Sequence, residues 1–245
     1  MIQANGFTKR YGRLTALEDV SFSIRDREVL GLIGPNGSGK TTLFECLGGV
    51  LPFDRGTLTR DGVMMSARDR ASQFFYLPDG IAPWPEQTVR WALHFAVDFF
   101  GDGFGARHSG RLPPSTDEVI AQLALDPILE APIGALSKGQ RKRALLAVGL
   151  LTPHPILLAD EPFEGLDLRQ ARELVVTLRA HAASGRTLFL SIHQINDAAR
   201  VCDRFVLLSN GRACGEGTLP ELAAIAGRTG APAQNDLEEV FLALT

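Results

Sequence analysis

The sequence predicts an α/β fold: a mainly parallel sheet, an antiparallel β portion near its N-terminal end, and an inserted α-helical subdomain in the middle. Three observations carry that prediction. Short apolar runs recur between stretches of helical spacing, the alternation expected of parallel strands joined by crossover helices. Strand-like runs cease between about residues 83 and 151, where helical spacing alone remains. One apolar run also ends on a glycine-rich turn that leads directly into a helical stretch.

The elements follow in chain order. Residues 2–7 and 20–24 read as extended, the second alternating as VSFSI. Residues 29–33 (VLGLI) form a short apolar run, the mark of a buried strand, and residues 41–47 beyond the glycine turn fit a helix. A turn-rich block holding Pro52, Gly56 and Gly62 precedes a further strand-like run at 74–77. Helical spacing then occupies 88–100 and 116–125, with the glycine- and proline-rich stretch GDGFGARHSGRLPPST between them predicting a mobile loop. Strands return at 156–159, 187–191 and 205–208, alternating with helices that begin near Leu168 and Ile195. A short amphipathic helix, DLEEVFLAL, is expected over 236–244. The whole is read as one domain over 1–245 with the helical subdomain at about 83–151.

Composition narrows the function classes. Across 245 residues, 45% are hydrophobic and 22% charged, values of a globular chain. A net charge of −3 offers no bulk attraction for nucleic acid. Cys46, Cys202 and Cys214 are scattered, without disulfide or metal-ligand spacing, as expected of reduced thiols in a cytosol. The most apolar stretches, around 91–100 and 144–151, are too short to span a bilayer, and MIQANGFTKR lacks the apolar run of a signal peptide. A soluble chain that stays where it is made is the expectation.

The strongest signal is GPNGSGKT, Gly34 to Thr41, between a predicted strand and a predicted helix. It satisfies G-x-x-x-x-G-K-[ST] in the context that gives the pattern meaning, and it predicts a P-loop NTPase core. Gly34, Gly37 and Gly39 let the backbone curl so that, after Pro35, the N–H groups of Asn36–Gly37–Ser38–Gly39 onward, through Thr41 and Thr42, converge on phosphate oxygens. Proline itself has no N–H and only shapes the curve. Lys40 supplies a compact positive charge for the β- and γ-phosphates, and the Thr41 hydroxyl is a hard oxygen suited to Mg²⁺.

A second stretch, ILLADEP, completes the chemistry. Asp160 stands at the C-terminal end of its strand, where α/β sheets place ligands, and is the candidate metal carboxylate. Glu161, one residue on, is placed to accept a proton from the attacking water.

With these residues in hand, the chain resembles the ATP-binding subunit of ABC transporters over nearly its whole length. ALSKGQRKR is similar to that family's LSGGQ signature, with Lys138 in place of the first central glycine. The resemblance implies that Ser137, Gly139 and Gln140 serve the ATP of a second ATP-binding subunit, a copy or a paralogue, so that two chains enclose two ATP molecules with Mg²⁺. It also implies an adenine-stacking role for Tyr11 in TKRYG, a switch role at the γ-phosphate for His193 in LSIHQ, and contact with the opposite subunit for EGLD at 164–167. His94, His108, His154 and His181 match no family position and read as structural or solvated. The implied partner is an integral membrane permease, docking near residues 79–89 with Trp84 at the surface. The implied location is the cytoplasmic face of the cell membrane.

Asp79 departs from the pattern. It stands in FFYLPDG where the family carries a glutamine that contacts the metal, with Gln73 upstream and Gln87 downstream as alternatives in register. An aspartate is shorter, and while ionised it accepts but does not donate a hydrogen bond; it could still bind Mg²⁺ through a water. DLEEVFLALT and SKGQRKR are similar to exporter-type subunits, and the length leaves no room for the regulatory domain that importer subunits often carry. Two other readings stay open: a soluble ABC-family ATPase not coupled to transport, and a subunit that binds ATP but hydrolyses it weakly because of Asp79 and Lys138. The acidic balance and the missing coiled-coil insertion argue against the first. Glu161 and His193 argue against the second.

Overall fold

The computed structural model describes residues 1–101, 114–227 and 236–245. The chain opens with an antiparallel hairpin, β1 (Ile2–Tyr11) and β2 (Leu14–Ile24), in which Ile2 faces Ile24 and Tyr11 faces Leu14. Strand β3 (Val29–Ile33) then enters a second sheet and leads through the glycine turn into helix α1 (Lys40–Leu47). Strands β4 (Arg55–Arg60) and β5 (Val63–Met64) return to the first sheet, and helix α2 (Ala67–Gln73) runs into β6 (Phe74–Leu77). Helices α3 (Val89–Gly101), α4 (Thr116–Gln122) and α5 (Lys138–Leu151) make up the helical region. Strand β7 (Ile156–Asp160), helix α6 (Leu168–Ala183), strand β8 (Thr187–Ser191) and helix α7 (Ile195–Val201) resume the alternation. A hairpin of β9 (Arg204–Ser209) and β10 (Arg212–Gly217) and helices α8 (Leu219–Ile225) and α9 (Asp236–Leu244) end the chain.

Among the described residues, the first sheet has the order β2-β1-β4-β5 and is antiparallel throughout. The second has the order β10-β9-β3-β8-β7-β6; it is parallel except for its edge strand β10. Side chains along a strand alternate in direction, so each central strand feeds two cores. Leu30, Leu32, Leu158 and Phe189 pack towards the first sheet with Phe7, Leu43, Phe44 and Leu47. Val29, Ile33, Leu157, Leu188 and Leu190 pack on the other side with α3, α5 and α6. That two-sided burial is why these strands read as unbroken apolar runs.

Several elements differ from the sequence expectation. Strand β1 continues to Tyr11, which therefore ends a strand. The expected helix over 116–125 stops at Gln122, and Ala124 with φ +49° marks the break. Strands β4, β5 and β10 and helix α2 carried no usable signal: α2 (ARDRASQ) buries Ser72 alone among its residues, and RACGEG in β10 is largely polar and half-exposed. The loop expected over 101–116, with His108, lies from 102 to 113 outside the described residues. No helix of the described residues is long and apolar enough to cross a membrane.

Candidate functional site

At the C-terminal ends of β3, β7 and β8 lies a cleft of about 790 Å³. It is lined from the glycine loop by Asn36, Gly37, Gly39, Lys40, Thr41 and Thr42, from the loops after β6 and β7 by Asp79, Asp160, Glu161 and Glu164, and from beyond β8 by His193. Tyr11 and the β9–β10 turn residues Asn210 and Gly211 complete its rim. Gly34 and Ser38 are buried in the loop, whereas Pro35 is exposed, and none of the three lines the cleft.

The loop's glycines are required by geometry. Gly37 and Gly39 hold φ +79° and +105°, conformations that L side chains rarely adopt. A Cβ on Gly34 would stand 2.2 Å from the Leu208 carbonyl oxygen, and one on Gly39 2.6 Å from that of Ala16. The turn is pinned from outside as well, since the Gly211 N–H donates to the Ser38 carbonyl at 3.0 Å. Gly39 is the N-cap of α1 and offers no side-chain cap, which leaves the first N–H groups of the helix open. Buried Ser38 Oγ has no hydrogen-bond partner among the described residues. An anion at the helix end would satisfy such donors. Lys40, 7% exposed, bends over its own loop and donates to the Gly34 carbonyl at 2.8 Å and the Pro35 carbonyl at 3.3 Å.

Opposite the loop, strands β7 and β8 fix two carboxylates. Thr41 Oγ1 donates to Asp160 Oδ2 at 2.8 Å, and the Ser191 hydroxyl donates to Asp160 Oδ1. The Thr41 hydroxyl and the Asp160 carboxylate are thus two hard oxygens in contact, a donor set that fits Mg²⁺. Glu161 adopts φ +50°, a left-handed conformation costing a non-glycine residue about 1–2 kcal/mol. Its N–H, held by Ser191 Oγ at 3.0 Å and the Ser191 carbonyl at 3.2 Å, keeps it there. The turned backbone aims the carboxylate back into the cleft, where Oε2 accepts the His193 N–H at 3.0 Å and Oε1 lies 3.8 Å from Lys40 Nζ. Burial pushes the Glu161 carboxyl above the ordinary carboxylate range, against the opposing charge of Lys40.

Tyr11, 44% exposed at the end of β1, stands on the rim with Lys9 Nζ 5.5 Å from its ring centre. Asp79 lines the cleft too. Of the alternatives in register, Gln73 accepts from Arg60 at 2.7 Å and Gln87 does not line the cleft. Burial pushes the Asp79 carboxyl up, but the hydrogen bond and charge of Lys142 outweigh it and hold the group below its usual range.

Ser137, Gly139 and Gln140 lie apart from this cleft, at the N-terminus of α5. Ser137 is the N-cap: Oγ accepts the Gln140 N–H at 3.3 Å, and Gln140 Oε1 accepts the Ser137 N–H at 3.0 Å. A Cβ on Gly139 would meet the Gly165 carbonyl oxygen at 2.6 Å, so the EGLD loop sits directly on the helix end. Lys138 pairs with Glu164 of that loop.

Sequence reasoning missed Ser191, Lys142 and the Asn210–Gly211 turn. Lys142 had a discoverable signal, because an acidic residue in place of a neutral amide beside two other carboxylates calls for a nearby cation. Ser191 and the turn had none, being brought in by sheet order alone.

The class that the fold and cleft define is a P-loop nucleotide-binding α/β domain with an inserted helical region. Residues 17–164 match the family model described as ABC transporter. The chain is 35% identical over 228 residues to the Nod factor export ATP-binding protein I of Ralstonia nicotianae, covering 91% of this chain and 68% of that protein. It is 28% identical over 229 residues to the linearmycin resistance ATP-binding protein LnrL of Bacillus subtilis, covering 93% of this chain and 72% of that one. A solved structure described as the ATP binding subunit of an ABC transporter superposes with a TM-score of 0.83 at 29% identity, over 100% of this chain and 99% of the other. The chain belongs to the ABC transporter family, among its ATP-binding subunits with ATPase activity.

Proposed function

We propose that this chain is the motor subunit of an exporter. Two ATP-binding subunits, copies or paralogues, enclose two ATP molecules with Mg²⁺, and hydrolysis drives a separate membrane permease. The carrying observation is that the groups this reading assigns to phosphate are divided between two places on one chain. The P-loop, Thr41, Asp160 and Glu161 share a cleft, while Ser137, Gly139 and Gln140 open a different helix outside it. A second chain that brings its α5 terminus to this cleft completes the site. Export is supported by the kinship to the Nod factor export and linearmycin resistance proteins.

In this reading Tyr11 stacks on the adenine. The N–H groups of the P-loop and α1 cradle the triphosphate, with Lys40 as its counter-charge. Thr41 and Asp160 hold Mg²⁺, which when bound offsets the charge on phosphate oxygens. Asp79, with Oδ1 engaged by Lys142, would reach a bound Mg²⁺ through a water. Glu161 takes the proton of the attacking water; its raised proton affinity suits that task near neutral pH. His193 stands beside the γ-phosphate.

Residues 1–245 act as one ATPase domain, with the helical subdomain at about 83–151 facing the permease at the cytoplasmic side of the membrane. Its outer surface fits that role. Trp84 packs edge-on against Trp91 and Phe95 at 5.6 and 5.1 Å, and Phe95 stacks on Phe99 at 5.4 Å. Trp84, Trp91 and Phe99 remain 37%, 39% and 65% exposed. Contiguous exposed aromatics of this kind mark interaction surfaces.

Two experiments test the proposal. Glu161→Gln should stop ATP turnover while sparing ATP binding; undiminished turnover removes Glu161 from the base role. Affinity purification of the tagged chain from membranes should enrich a polytopic protein, and no enrichment contradicts the permease assignment.

A further inference from the structure

The basic run that opens α5, KGQRKR, buries one of its cations: Lys142 is 8% exposed at its side chain, against 56% for Lys138. A lysine ammonium leaves water only when it is paired. Lys142 has two partners, on two other elements. It forms an ion pair with Asp79, in the loop after β6, and donates to the main-chain carbonyl of Asp160 at 3.2 Å. One side chain thus joins the helix that begins with Ser137 to a carboxylate of the cleft and to the end of β7.

The electrostatics of the cleft give that link a purpose. Asp79, Asp160, Glu161 and Glu164 all line it, and Lys40 is the one lysine or arginine among its described lining residues. ATP is a polyanion. Asp160 is offset by the metal that it would hold, Glu161 lies 3.8 Å from Lys40, and Glu164 pairs with Lys138. Asp79 has no such partner within the cleft; its counter-charge comes from behind, from Lys142. Without that lysine, a bare carboxylate would face the triphosphate, in surroundings where one uncompensated charge is worth about tenfold in affinity.

We propose that Lys142 is a positioning residue for nucleotide binding: it pairs with Asp79 and so lets the cleft carry that carboxylate without repelling ATP. The inference rests on the assignment of the cleft as the ATP site, and the Lys40→Ala variant tests that assignment separately.

The experiment is calorimetric binding of the non-hydrolysable analogue AMP-PNP with Mg²⁺ to the full chain, with melting temperatures recorded alongside. Lys142→Gln should weaken binding about tenfold. The double variant Asp79→Gln/Lys142→Gln, which removes both charges, should return the affinity to within about threefold of the original chain. Asp79→Gln alone should bind at least as tightly as the original, and this holds the proposal to account even if Lys142→Gln does not fold. Three results overturn it: unchanged affinity in Lys142→Gln with only a lowered melting temperature, weakened binding that persists in the double variant, or weaker binding in Asp79→Gln. Retained tight binding in Lys40→Ala instead overturns the site assignment itself.

Discussion

Helices α1 and α5 both point an N-terminus at a place where phosphate is expected, yet they end differently. Helix α1 begins at Gly39 in a left-handed conformation with no side-chain cap, so its N–H groups stay open. Helix α5 is closed on itself by the Ser137–Gln140 capping box, as α2, α4, α6 and α8 are by theirs. The open end has a lysine, a threonine and two fixed carboxylates around it. The closed end has Gly139 pressed against the EGLD loop and a lysine paired to Glu164. With glycine as its N-cap, the open end gives up only about a few tenths of a kcal/mol to keep its donors available. On the proposed reading, this contrast would let α1 bind the chain's own nucleotide while α5 adds to a site that another chain brings.

Variants at each end separate the two. Lys40→Ala removes the counter-charge of the open end and should weaken ATP binding by about a hundredfold, read by calorimetry. Ser191→Ala takes one hydrogen bond from Asp160 and one from the Glu161 N–H. Steady-state turnover should then fall by about tenfold or more, with a smaller change in ATP affinity. Gly139→Ala strikes the closed end, where the new Cβ would stand 2.6 Å from the Gly165 carbonyl oxygen. Turnover should fall about tenfold while ATP binding to the single chain is unchanged; an equal loss of binding would break the distinction between the ends.

The smallest functional effect lies behind both. His154, past the C-terminus of α5, packs on Phe75 and Phe100 with ring centres 5.4 and 5.2 Å away. Burial, aided by the charge of Arg186, lowers its pKa from 6.5 to about 4. A folded-state pKa below the unfolded one means that protonation favours the unfolded chain. The neutral histidine's contribution is therefore intact above pH 6.5 and is lost as the pH falls towards 4, a change of about 3 kcal/mol. Denaturation midpoints measured across that window should fall in the original chain, and less steeply in His154→Phe.

What could be read from sequence follows from burial. VLGLI, ILLAD and TLFLS, buried on both faces, announced β3, β7 and β8, and with them the positions of the P-loop, Asp160 and Glu161. RGTLTR in β4 is half-buried with one fully buried residue, and β5 is exposed, so neither shows an apolar pattern. The same limit applies within the site. Local motifs marked Lys40, Thr41 and the two carboxylates because their neighbours in sequence are their neighbours in space. Ser191 reaches Asp160 through strand pairing, and Lys142 reaches Asp79 across 63 residues of chain. Contacts of that kind are set by topology, and no spacing rule records them.

The claim that the chain is half of a two-nucleotide unit has one direct test. Sedimentation of Glu161→Gln, which should bind ATP without turning it over, is compared with and without MgATP. The account predicts an ATP-dependent doubling of mass with one nucleotide per chain, lost when Gly139→Ala is added. A species that stays single while saturated with ATP would contradict it.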